Sequence, residues 1–251
     1  MNLTVSDIHF SYNGGTEVLH GVSLCANAGE LVSIVGPNGC GKTTFIKCIN
    51  RIHKPYKGSV SFDGVEIGSI KRGELAKIAG YVPQMSGGSI GINVIDMLLM
   101  GRKPYITWRI KESDICGAID VLKKLNMEEL TNVPYSNLSG GQKQKALFAR
   151  ALVQDPQVFI LDEPTSFLDI KNQLEIMSMI HNIAKTQKKI VIIVLHDLNL
   201  AMRYSDKAAL MYQGNIVSFD VPGVALTPRN IKDVYGVNIK IIDKKYIIII
   251  E

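Results

Sequence analysis

The chain has 251 residues, of which 46% are hydrophobic and 20% charged, with a formal net charge of +5; this supports a large core and excludes disorder. Its longest apolar runs, Ile190 to Leu195 and Ile247 to Ile250, fall far short of the roughly 20 residues that span a bilayer, and no export signal stands near Met1, so a soluble chain without direct membrane insertion is expected. Basic residues are interleaved with acids, and Lys143-Gln144-Lys145 and Lys188-Lys189 are too short for a nucleic-acid footprint; Cys25, Cys40, Cys48 and Cys116 lack metal-ligand spacing and read as free thiols.

The first thirty residues alternate as β-structure, with Leu3-Thr4-Val5 and Ile8-His9-Phe10, a turn at Asn13-Gly14-Gly15, and a return from Val18 to Leu24. Leu31 to Val35 is a nearly continuous apolar strand of the kind buried in a parallel sheet. A glycine loop follows, then helical spacing through Phe45, Ile46 and Ile49. Gly58 to Val65 is a hairpin turning at Asp63-Gly64. From about Gly91 to Pro156 the character is helical, with Val94, Ile95, Leu98 and Leu99 on one face and Ile115, Ala118, Ile119, Leu122 and Leu125 on another. A strand at Val158 to Leu161, a helix from about Ile170 to Thr186, a strand at Ile190 to Leu195 and a hairpin from Ala208 to Ser218 complete the body. Ile247 to Ile250 reads as a terminal strand that needs pairing. This order predicts a parallel α/β core with an inserted helical subdomain.

Gly36-Pro37-Asn38-Gly39-Cys40-Gly41-Lys42-Thr43 fits the phosphate loop G-x-x-x-x-G-K-[ST], with a strand before it and a helix after. Its glycines let backbone N–H groups face phosphate oxygens, and the helix start adds a positive dipole end. Lys42 is expected to reach the β- and γ-phosphates, and Thr43 to ligate Mg²⁺. Asp162-Glu163 ends an apolar strand at the ligand-binding edge of a parallel sheet. One acid can hold Mg²⁺, and Glu163, one residue further out, can act as general base. Ser139-Gly140-Gly141 ahead of a helical run makes a second anion-ready helix start, although an ordinary N-cap has the same pattern. His196 ends the strand from Ile190 at the edge shared with Asp162 and Glu163. Tyr12, read as lying in an edge strand, has packing as its plain alternative.

Leu138-Ser139-Gly140-Gly141-Gln142, followed by Leu161-Asp162-Glu163-Pro164-Thr165, resembles the ATP-binding subunits of ATP-binding-cassette (ABC) transporters, over residues 3 to 220. The resemblance implies a P-loop NTPase of ABC type. Its RecA-like parallel core carries an N-terminal antiparallel β-subdomain and an inserted helical subdomain. The ATP-binding domain would span residues 1–221, with the insertion at about 91–156, and residues 222–251 would extend the same domain. The resemblance further implies a homodimer that sandwiches two ATP molecules, with Ser139, Gly140, Gly141 and Gln142 of one subunit covering the γ-phosphate held by Gly36 to Thr44 of the other. Tyr12 would stack on adenine and Gln84 would sense Mg²⁺ and water. Asp162 would ligate the metal, Asp169 would lie in the loop crossing between subunits, and His196 would contact the γ-phosphate. Partners would be polytopic permease subunits at the cytoplasmic face of the cell membrane and, through them, a substrate-binding protein.

Three departures from the family pattern stand out. Cys40 puts a thiol beside the phosphates, open to alkylation or oxidation; Phe167 replaces a small residue in the crossing loop; Lys143 and Lys145 replace arginines. Met100-Gly101-Arg102-Lys103-Pro104-Tyr105 and the closing stretch Leu226 to Val237 resemble the importer branch for iron–siderophore, haem and cobalamin, with coupling expected through a groove near Gln84 to Tyr105. The alternative is a soluble ABC ATPase of iron–sulfur cluster assembly. The short separation of Gly36 and Leu138 excludes repair and chromosome ATPases, which insert long coiled coils there.

Overall fold

Strand pairing begins where the alternation predicted it. The computed structural model describes residues 1–84, 91–243 and 246–250. In chain order the first segment holds β1 (Asn2–Ser11), β2 (Glu17–Asn27), β3 (Leu31–Val35), α1 (Lys42–Ile49), β4 (Lys57–Phe62) and β5 (Val65–Glu66). The middle holds α2 (Arg72–Ile78), β6 (Ala79–Val82), α3 (Val94–Leu99), α4 (Glu112–Lys124), α5 (Gly140–Gln154), β7 (Val158–Asp162) and the start of α6 (Ile170–Gln187). The last holds β8 (Ile190–Val194), α7 (Leu198–Tyr204), β9 (Lys207–Tyr212), β10 (Asn215–Asp220), α8 (Pro222–Ala225), α9 (Pro228–Tyr235), β11 (Asn238–Ile242) and β12 (Tyr246–Ile250). These segments form two compact units, one of Met1–Ile70 with Glu175–Glu251 and one of Lys71–Leu174.

In the first unit β1 lies between β2 and β4 in an antiparallel sheet that ends at β5. Leu3 and Val5, and then Ile8 and Phe10, fill its buried side; period-2 alternation holds within each pair, and the irregular pairing between Val5 and Ile8 resets its phase. β3 pairs in parallel with β8, with Ile34 opposite Val194, and with β9 on its other side. Every residue of β3 and β8 is buried, which is why both read as unbroken apolar runs. β9 and β10 form the predicted hairpin. The isoleucine-rich terminus is paired as expected, β12 running antiparallel to β11.

In the second unit β6 and β7 pair in parallel, with Val82 opposite Leu161. α3, α4 and α5 pack on one another, and Met97, Leu98, Ala118, Leu122, Leu147 and Phe148 on them are buried. At the turn after α3, Gly101 comes so close to α5 that a β-carbon would lie 2.3 Å from the carbonyl oxygen of Arg150. Ile115 departs from expectation. It is 40% exposed, because the buried stripe of α4 is narrow and runs through Ala118 and Leu122. α2 and β6 had no sequence expectation. The first buries only Leu75 and the second has four residues, too little for either periodicity to register.

Candidate functional site

The first unit contributes the phosphate loop. Residues 36–41 link β3 to α1, and Gly41 caps the helix in the left-handed conformation, which a side chain would strain. The first turn of α1 carries no acidic residue, so its positive end is left for an anion. Gly36 passes so close to β9 that a β-carbon would lie 2.2 Å from the carbonyl oxygen of Met211. Lys42 is buried and folds back onto the loop, its Nζ donating to the carbonyl oxygens of Gly36 at 2.7 Å and Pro37 at 2.9 Å. Thr44 is hydrogen-bonded to the Tyr12 hydroxyl at 3.0 Å.

Tyr12 lies one residue beyond β1, and β1 is an interior strand, so the edge-strand expectation is corrected. Its ring is 47% exposed and is held edge-on by Phe10 and His53. His196 is exposed two residues beyond Val194 of β8, as Gly36 is two beyond Ile34 of β3. Register thus places both at one carboxyl edge. Asp197, next to His196, caps α7 through the N–H groups of Asn199 and Leu200.

Cys40 overturns its expectation. Its thiol is buried and burial pushes its pKa up, against a smaller opposing effect of Lys42. A thiol that resists ionisation and contact with solvent is a poor nucleophile. Its carbonyl is taken by the N–H of Gly214 at 3.1 Å.

The second unit, taken by itself, carries the paired carboxylates. The register of β6 and β7 puts Gln84 and Glu163 each two residues beyond a paired position. They meet, with Gln84 Nε2 donating to Glu163 Oε2 at 2.7 Å. Ser166 Oγ donates to the same oxygen at 3.1 Å. Glu163 is 7% exposed and has φ 52, in the left-handed region. Asp162 is buried at the strand end, where the Tyr81 hydroxyl donates to it at 3.3 Å. Burial, then the neighbouring Asp162 charge, raises the pKa of that phenol.

Ser139 caps α5 in a capping box, accepting from the Gln142 N–H at 3.3 Å while its own N–H donates to Gln142 Oε1 at 2.9 Å. No acidic residue stands in that first turn. Gly141 lies against the carbonyl of Phe167. Ser139, Gly140, Gly141 and Gln142 line a cavity of about 520 Å³ with Phe167 and Asp169. Asp169 accepts from the backbone N–H of Asn172, which holds its carboxyl below the usual range. Phe167 is 66% exposed with φ 65. Lys145 donates to Asn172. Of the stretch from Gln84 to Tyr105, residues 85–90 lie outside the described residues. Sequence reasoning missed Tyr81 and Gln144. The latter donates to the main-chain carbonyl of Glu163, and a polar residue inside a helix carries no signal of burial.

A strand, glycine loop and helix with an acidic strand end define a phosphate-loop nucleoside triphosphatase. Residues 19–166 match the ABC transporter family, and the chain belongs to it. An uncharacterized ABC transporter ATP-binding protein of Methanocaldococcus jannaschii is 45% identical over 95% of this chain and 92% of its own. The petrobactin import ATP-binding protein of Bacillus subtilis is 33% identical over 91% of this chain and 90% of its own. Among solved structures, a metal-chelate type ABC transporter in an inward-facing conformation has a TM-score of 0.83 at 26% identity, covering 99% of this chain and 97% of that one. A dimeric ATP-binding cassette in a post-hydrolysis state with ADP and Pi has a TM-score of 0.80 at 27% identity, covering 88% and 98%. The chain is thus an ABC ATPase that binds and hydrolyses ATP. No helix among the described residues is long and apolar enough to cross a membrane.

Proposed function

We propose that this chain energises import of an iron–siderophore or similar metal chelate, docked on permease subunits at the cytoplasmic face of the membrane and served by a substrate-binding protein. The observation that carries the cargo class is the 33% identity to a petrobactin import protein across 91% of the chain. The likeness to a metal-chelate type transporter over 99% of it agrees. The iron–sulfur assembly alternative finds no support in these relatives.

In this reading residues 1–221 are the ATP-binding domain, with the helical insertion at about 91–156, and residues 222–251 are its extension. Tyr12 stacks on adenine, and the backbone N–H groups from Gly36 to Thr44 cradle the phosphates. Lys42 exchanges its two loop carbonyls for phosphate oxygens, so the charge it holds ready costs little to redirect. Thr43, Gln84 and Asp162 offer only hard oxygen donors, which suits Mg²⁺. No group of three or more His, Cys, Asp or Glu side chains among the described residues could hold a metal alone. That fits an ion bound by one carboxylate with substrate phosphates. When bound, the ion neutralises charge developing on the phosphate oxygens.

Glu163 takes the proton of the attacking water and His196 contacts the γ-phosphate. The helix start at Ser139 to Gln142 caps the γ-phosphate of the second subunit, and Asp169 lies in the loop that crosses to it. Recovery of the tagged chain from native membranes in mild detergent tests the assignment. Stoichiometric co-purification of a polytopic membrane protein, with ATP-dependent uptake of a ferric chelate in vesicles, is expected. A soluble scaffold in its place would overturn it.

A further inference from the structure

Gln144 lies in α5, five residues beyond the Ser139 cap, and is 1% exposed. Its Nε2 donates to the main-chain carbonyl of Glu163 at 3.3 Å, while its Oε1 has no hydrogen-bond partner among the described residues. The amide orientation follows from chemistry, because the flipped form would set two carbonyl oxygens against each other. A fold that needed only volume here would be better served by Met or Leu, which bury no unsatisfied acceptor. The donor therefore has a use, and its target is specific.

Glu163 holds φ 52, a conformation a β-carbon disfavours. The carbonyl that Gln144 grips belongs to this strained residue. Together with the Ser166 N–H, which donates to the same oxygen at 3.2 Å, it fixes the peptide plane on one side of the Glu163 α-carbon, while Gln84 and the Ser166 hydroxyl hold the carboxylate at 2.7 and 3.1 Å. Main chain and side chain are thus clamped from separate elements of one unit.

We propose that Gln144 is a positioning residue for ATP hydrolysis. It ties the helix that opens at Ser139 to the main chain of Glu163, so that a load on that helix start reaches the orientation of the base. The proposal rests on the assignment of Glu163 as general base.

Gln144→Met keeps the length and removes both the donor and the orphan acceptor. Its melting temperature and ATP affinity are expected to match the parent, with kcat lower by between about 10- and 100-fold and KM unchanged. Gln144→Asn, too short to reach the carbonyl, is expected to lose kcat likewise and serves if the Met variant fails to fold. In the Glu163→Gln background, Gln144→Met should not lower the residual single-turnover rate further, since it acts through Glu163. An undiminished kcat, or the same fold-loss in both backgrounds, overturns the positioning role while leaving the base intact. A wild-type rate for Glu163→Gln alone overturns the base assignment and the proposal with it.

Discussion

Gln84 and Glu163, 79 positions apart, meet at 2.7 Å through an amide nitrogen and a carboxylate oxygen. The parallel register of β6 and β7 brings them together, because each stands two residues past a paired position at the same sheet edge. With Ser166 on the same oxygen, the carboxylate has a fixed direction before any water is bound. Glu163→Gln keeps the shape and removes the proton acceptor. We expect kcat to fall by about 100-fold or more, with ATP affinity retained and an ATP-dependent dimer accumulating in light scattering. Turnover at the parent rate would remove Glu163 from its role.

Lys42 is held by two loop carbonyls, so its ammonium is poised where phosphate oxygens are expected. Lys42→Ala should weaken ATP binding at least about tenfold, or ~1.4 kcal/mol, by calorimetry. An unchanged dissociation constant would contradict the phosphate-loop role.

The four thiols divide by burial. Cys25 and Cys116 are exposed, and Cys40 and Cys48 are buried, with burial raising Cys40 and pushing Cys48 up to about 12. Iodoacetamide at mildly alkaline pH should label Cys25 and Cys116 first in peptide mapping. Early labelling of Cys40 would restore the reactive-thiol reading.

Glu17 is pulled down to about 2, first by the Tyr56 hydroxyl that donates to it at 2.6 Å, then by His9. A depressed carboxylate stabilises the fold fully above its unfolded value near 4.5, and the contribution is lost as pH falls from there towards 2. Denaturation midpoints of the wild type should therefore drop through this window more steeply than those of Glu17→Gln. Parallel curves would count against the network.

Gly101→Ala places a methyl 2.3 Å from the Arg150 carbonyl, on a helix backbone that cannot rotate away. A loss of about 1–3 kcal/mol is expected, seen as a lower Tm with ATP affinity little changed. An unaltered Tm would show that the turn yields.

Most of the candidate site's local structure could be read from sequence because it is contiguous. Leu31 to Val35, the glycines to Gly41, and Lys42 are contiguous, and their consequences (a buried strand, inward N–H groups, a helix start) follow from backbone geometry over a few residues. The same holds for Asp162-Glu163 at the end of an apolar strand and for the cap at Ser139. Burial and pairing between distant positions were not legible. Ile115 fits the helical stripe but faces solvent, and Cys40 sits in a phosphate loop but is closed off. Gln144 has the look of a surface residue and is among the most buried polar groups.

Sequence by itself thus determined which residues make up the candidate site, since propensity and spacing act along the chain. Tertiary structure alone decided how those groups are held. The Gln84 and Gln144 contacts to Glu163, the carbonyls that store Lys42, and the closed thiol of Cys40 each depend on residues or layers that only folding brings within a few ångströms. Hydrogen bonding and desolvation act through space, and no pattern along one strand or helix encodes them.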